Sequence, residues 1–180
     1  MKKIIQIVLV IQIFLSTTTV LADGLIYTEL STLAKNSAAI IEGTVIKVEV
    51  LWDKEHRFIY TYTTISVTKS YKKNHREIIL KEIGGALDGF ETIVQHKVMY
   101  NVDEKVLVFL QKEGAFFRTY GGPQGKFTFE KLNGVVQLRR NLDIDKLIFL
   151  RKDAKREEVK NLFKYSDLDT LITNHVGGSK

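Results

Sequence analysis

The sequence predicts a mainly β domain with flanking helices, and three observations carry that reading. Alternating runs rich in β-branched residues recur between residues 38 and 138, with Gly, Asn and Asp turn signals between them. Proline occurs once in 180 residues, so almost nothing deletes a ladder hydrogen bond. Helical periodicity is confined to the two ends of the chain. Many short strands in succession make a small barrel or a sandwich.

The chain opens with the three parts of a secretory signal. Lys2 and Lys3 form a positive start, Ile4 to Leu15 is almost wholly apolar, and Val20-Leu21-Ala22 fits the small-x-small cleavage rule. A membrane anchor needs about 20 predominantly apolar residues. This run is shorter and holds Gln6 and Gln12, so cleavage after Ala22 and export by the Sec route are expected, with no membrane span afterwards. Removing residues 1–22 takes two lysines and no acids, so the chain falls from 180 to 158 residues and the formal charge from +6 to +4. That length suits one domain able to bury a core without disulfides. The chain has no Cys, which excludes lipid attachment through a cysteine, and a Cys-free exported chain rich in Lys and Ile reads as bacterial. The expected location is a periplasm or the outside of the cell. The expected organisation is a β-barrel domain over 23–140 and a helical extension over 141–180, packed on the same domain.

A short helix is expected first, capped by Thr28, with Leu30, Leu33 and Ala34 on one face. The period then becomes two. Ala38 to Leu51 reads as a long strand, with Gly43 marking a bulge or bend. Ile59 to Ser70 is the clearest strand, since nearly every residue is β-branched or aromatic. Glu77 to Ile83 is a third strand, and 86–104 reads as a long irregular loop. Lys105 to Gln111 is a buried strand by its apolar run, and Phe116 to Tyr120 runs back. Lys126 to Leu132 and Val135 to Leu138 flank Asn133-Gly134, a strong hairpin signal. Two helices are expected to follow. One spans Asp153 to Lys164, with Val159, Leu162 and Phe163 on one side, and one is capped by Ser166, with Leu168, Leu171 and Ile172 as its stripe.

Little in the chain carries catalytic chemistry. His56, His75, His96 and His175 are scattered, with no H-x-H or H-x-x-x-H pair for a metal, and cysteine mechanisms are impossible. No G-x-S-x-G elbow exists. Gly121 to Lys126 (GGPQGK) fails the phosphate-loop pattern, because Tyr120 stands where Gly is needed and Phe127 where Ser or Thr is needed. Its glycines suit a tight turn. No cofactor signature is present. A hydrolase or metal-dependent enzyme would have to assemble distant residues, and the combination to expect is His96 with Asp88, Glu91 or Asp103.

The charged residues suggest a surface instead. Lys72, Lys73 and Arg76, beside Lys69, with the aromatic Tyr60 and Tyr62, form the candidate binding surface, and Phe116 and Phe117 are further aromatic candidates. A second basic stretch, Arg139 to Lys164, holds nine Lys or Arg against five Asp or Glu. If the two basic groups share one face, an anionic glycan or lipid is the expected ligand. Export argues against nucleic acid.

Five motifs occur in order: NSAAIIEGTV (36–45), IYTYTTISVTKSYK (59–72), IGGALDG (83–89), EKVLVFL (104–110) and GGPQGKF (121–127). Together, across residues 33–130, they resemble a family of uncharacterised exported bacterial proteins. Its pattern is an apolar-x-G-x-V strand, an IYT strand, a GG-x-x-x-G turn, a G-x-x-VLLFL strand and a GKF turn. Ala39 stands where that family often has Asp, and Asp103 where it commonly has Gly. The family in turn is similar to the netrin-like domain of tissue inhibitors of metalloproteinases. That resemblance implies a closed or partly open OB-like barrel with a short N-terminal helix and two C-terminal helices. The inhibitors use an amino-terminal cysteine on the protease zinc, and the chain here would begin Asp23-Gly24, so the likeness implies the fold and not that mechanism. The expectation is an exported, non-enzymatic binding domain for a protein partner in the envelope or outside the cell.

Overall fold

The computed structural model describes residues 24–150 and 155–177. The expected signal peptide and its cleavage at Ala22 lie outside those residues. In chain order come β1 (Leu25–Ile26), α1 (Leu30–Asn36), β2 (Ala39–Trp52), β3 (Ile59–Lys72) and β4 (Glu77–Ile83). Next are β5 (Gly85–Leu87), β6 (Phe90–Thr92), β7 (Lys105–Glu113) and β8 (Phe116–Thr119). The chain continues with β9 (Lys126–Leu132), β10 (Val135–Arg139), β11 (Leu147–Ile148), β12 (Leu162–Lys164) and α2 (Tyr165–Gly177).

Eight strands form one mixed sheet in the order β12-β10-β9-β7-β2-β3-β4-β8, and β8 also pairs with β7. The strands β7, β2, β3, β4 and β8 thereby make a partial ring. Its weak seam is β4 against β8, which run parallel and pair only at Leu80 and Phe117. Glu82 supplies a bond there that the ladder lacks, since the Thr119 amide donates to its Oε1 at 2.7 Å. Burial pushes the Glu82 carboxyl above its ordinary value, although the bonds from Thr119 oppose the shift.

Gly43 shows how the long strands bend. The β2–β3 register shifts between Glu42 and Gly43, so the bulge expected at this glycine is present. A Cβ at this position would stand 2.4 Å from the Ser66 carbonyl oxygen, so only glycine lets the strands approach this closely. Beyond the bend β2 leaves β7, with which it pairs only from Ala39 to Thr44. Its remainder, with β3 and β4, continues as a three-stranded arm.

The sheet separates two cores. Ile41, Val45, Ile65, Leu80, Val108 and Phe117 pack inside the ring. Ile40, Phe109, Phe127 and Leu138 face the other way, against Leu33 and Ala34 of α1 and Leu168 and Ile172 of α2. Alternate residues of β7 thus enter different cores, which explains its unbroken apolar run.

Four expectations need correction. Only one helix occurs in the C-terminal region among the described residues. Arg156–Glu158 is a single 3-10 turn, and Leu162–Lys164 is a strand completing the edge of β10. The apparent helical stripe is split, because Val159 joins Leu142 and Leu147 in a small third cluster while Phe163 packs on the second core. Thr28 does not cap α1: Glu29 takes the N-cap position, and the Thr28 amide donates to Gln124 Oε1 at 2.8 Å. Ser166 lies inside α2 and donates to Asp167 Oδ1 at 3.0 Å. Within the expected 86–104 loop, β5 and β6 form a hairpin of three residue pairs.

Candidate functional site

The five residues of the expected surface lie at two ends of one strand. Tyr60 and Tyr62 are near the start of β3 and Lys72 is its last residue. At ~3.3 Å per residue the two ends are on the order of 30 Å apart. Lys72 is spent on structure: its Nζ donates to Lys35 O at 2.7 Å and Ser37 O at 3.0 Å, tying down the end of α1. Burial lowers the Lys72 ammonium from its ordinary value. Lys73 occupies a turn with φ of 54° and is exposed. Arg76 is exposed and lines a cleft of about 250 Å³ with Lys69, His75, Thr68, Ser70 and Asn74.

The second basic stretch is largely consumed by local contacts. Arg139 pairs with Glu130 at 2.7 Å. Arg140 is buried: its Nε donates to Lys160 O at 2.9 Å, and its guanidinium lies 5.2 Å from the Phe163 ring centre. Arg156 Nη2 donates to Leu147 O at 2.9 Å. Arg151 and Lys152 lie outside the described residues.

At the C-terminal end of β3 a polar clasp holds α2. Lys69 Nζ donates to Asp169, and to the Tyr165 hydroxyl at 3.2 Å. The Tyr165 hydroxyl donates to Glu42 Oε1 at 3.0 Å, and the Tyr71 hydroxyl faces both Glu42 and Asp169. Burial, then the bonds to Asp169 and Glu42, push the Tyr71 phenol far above its ordinary value. Burial opposes the charge on Asp169, but the bonds from Lys69 and Tyr71 outweigh it and hold the carboxyl below its ordinary value. Lys69 is pushed down by burial and further up by Asp169, Tyr165 and Glu42, for a net rise. Each charge here has a partner, so the clasp satisfies itself and offers little to a ligand.

The opposite end of β3 differs. Cross-strand register places Leu51, Tyr60 and Ile83 in one outward row, and Glu49, Tyr62 and Lys81 in the next. Leu51 is 48% exposed, Ile79 39% and Ile83 40%. The Lys81 ammonium stands 4.1 Å from the Tyr60 ring centre, 5.9 Å from that of Tyr62 and 6.0 Å from that of Phe116. Phe116 meets Tyr62 edge-on at 5.5 Å, whereas Phe117 points into the ring core. The β5–β6 hairpin covers the opposite face of the arm, where Gly85 lies against Val50, Ile59 and Thr61 and Phe90, 63% exposed, is edge-on to Trp52. Strand alternation in β4 alone marks Ile79, Lys81 and Ile83 as a face, but it does not reveal the rings beside Lys81.

His96 lines a cleft of about 350 Å³ at the ring seam, with Glu82, Gln111, Arg118 and Thr119. Asp88, Glu91 and Asp103 are absent from that lining, so the combination expected of a hidden enzyme is not assembled. Asp88 accepts from Trp52 Nε1 at 3.3 Å instead. A second cleft of about 350 Å³ is built around Lys126 and Glu104, an ion pair at 2.7 Å further bonded to Thr128 and the Asn101 amide. Burial lowers the Lys126 ammonium, against the pull of Glu104. All its short contacts are to Glu104 and the Met99 carbonyl, which makes it an anchor for the 96–104 segment. Among the described residues no three His, Cys, Asp or Glu side chains converge on a possible metal position. No helix among them is long and apolar enough to cross a membrane. Comparison with protein-family models, curated proteins and solved structures finds no match to the chain.

Proposed function

We propose that this protein is an exported, non-enzymatic binding module that engages a protein partner through the outer face of its β2–β3–β4 arm. The partial ring reads as an OB-like barrel, in line with the motif resemblance, and the arm is its presenting element. One observation carries the binding reading: Leu51, Ile79 and Ile83 are exposed on one face of the arm, in the same rows as Tyr60 and Tyr62 or beside them. Soluble chains rarely leave such a patch uncovered unless it meets a partner, and Tyr with aromatic neighbours is the composition that interfaces favour. The site keeps Tyr60 and Tyr62 of the expected surface and leaves out Lys72, Lys73 and Arg76, which lie at the other end of β3.

The test is capture from envelope and soluble fractions of the source cells, at low and high salt. Wild type is compared with Leu51→Ser/Ile83→Ser and with Lys73→Glu/Arg76→Glu. The reading expects a discrete protein retained at high salt by wild type and by the basic-turn variant, and lost by the arm variant. Capture insensitive to the arm variant sinks it. A second reading, binding of an anionic glycan or lipid, is favoured by the cleft bearing Arg76 and His75. It expects capture at low salt only, abolished by Lys73→Glu/Arg76→Glu.

A further inference from the structure

The outer face of β4 carries a definite pattern. Residues two apart in a strand share a face, so Ile79, Lys81 and Ile83 stand in line as apolar, cationic, apolar. Ile79 is 39% and Ile83 40% exposed. Lys81 between them is held over Tyr60, with Tyr62 and Phe116 close by. Among the described residues no carboxylate lies within ion-pair distance of Lys81. Glu49, the nearest acid in its row, is occupied by Lys47 at 2.9 Å. The face therefore presents one uncompensated cation on an aromatic bed between two apolar side chains.

We infer that this face docks an extended acidic peptide segment of the pattern apolar-x-acid-x-apolar. The inference rests on the binding reading above and specifies its partner. An extended segment running along β4 has the same repeat of two residues, about 6.6 Å, so its alternate side chains meet the three β4 positions in step. The central Asp or Glu pairs with Lys81, whose ammonium the rings already partly desolvate and hold in place. The outer two residues cover Ile83, beside Tyr60 and Leu51, and Ile79. A basic central residue would face Lys81 and be rejected, which makes charge the source of specificity.

The experiment pans a displayed library of random linear peptides against the immobilised full-length chain, then measures a synthetic copy of the enriched sequence by titration. Enrichment of apolar-x-Asp/Glu-x-apolar is expected. Lys81→Glu should weaken the synthetic peptide by about tenfold or more. An unchanged unfolding midpoint will show that the variant still folds. Added salt should weaken wild-type binding and spare the residual binding of Lys81→Glu. Enriched peptides without an acid, unaltered affinity in Lys81→Glu, or no enrichment at all each overturn the inference. If acid-free peptides bind and Ile83→Ser abolishes them, the arm is still a binding face and only the partner chemistry falls. If bound peptides ignore both Lys81→Glu and Ile83→Ser, the reading of the arm falls as well.

Discussion

The two ends of β3 make opposite use of similar residues. At its C-terminal end Lys69 and Tyr71 meet two carboxylates and a second tyrosine, and α2 closes over them. At its N-terminal end Tyr60 and Tyr62 bed Lys81, and among the described residues no acid answers it and no helix covers the row. The same chemistry is structural where an element of the chain completes it and available where none does. Gly43 separates the two regimes, because the bulge there turns β2 out of the packed sheet and into the arm.

The sharpest way to break this contrast is to damage the packed side. Phe127 is fully buried between the sheet and the helices, so Phe127→Ala should cost about 3–5 kcal/mol in a denaturant titration. A loss near zero would mean that the second core is not formed as described. Gly43→Ala comes next, since its Cβ would press on the Ser66 carbonyl and the strands must part. About 1–3 kcal/mol is expected on the same measurement.

A smaller effect should appear in the pH dependence of the clasp. Asp169 is held below its ordinary value, so its stabilisation is complete above that value and is lost as pH falls through the lowered one. Lys69 is raised, so its share is complete below the ordinary lysine value and fades as pH climbs past it. Unfolding midpoints across pH should therefore show a shallower acid limb, below about pH 4, in Asp169→Asn than in wild type. Identical acid limbs would show that the clasp does not tighten the fold. The smallest effect belongs to the free end, where Ile83→Ser should change stability by no more than about 0.5 kcal/mol. A larger loss would place Ile83 in the core and remove the arm from consideration.

Much of the framework was legible in the chain. β2, β3, β4, β7 and the β9–β10 hairpin fall within a residue or two of the runs that predict them, because each alternates or carries an Asn-Gly turn. The stretch before α2 was not legible. Val159, Leu162 and Phe163 fit a helical stripe, yet pairing of 162–164 with β10 outweighs that weak local period. The site was half legible. Tyr60 and Tyr62 form an aromatic pair on one face of their run, but Lys72, Lys73 and Arg76 are grouped only by closeness in sequence. Lys81 looked ordinary, since its meaning comes from register: Tyr62 opposite it, Tyr60 in the neighbouring row, and Phe116 across the seam. Register depends on the hydrophobic pattern of both strands and on the turn between them, and Phe116 arrives from a separate strand, so the single run holding Lys81 does not display its setting.

Site-specific photo-crosslinking in the source cells tests the central contrast most directly, with a photoreactive side chain at Tyr62 in one strain and at Lys73 in another. The arm reading predicts a discrete protein adduct from position 62 and none from position 73. An adduct from 73 alone, or from neither, would contradict it.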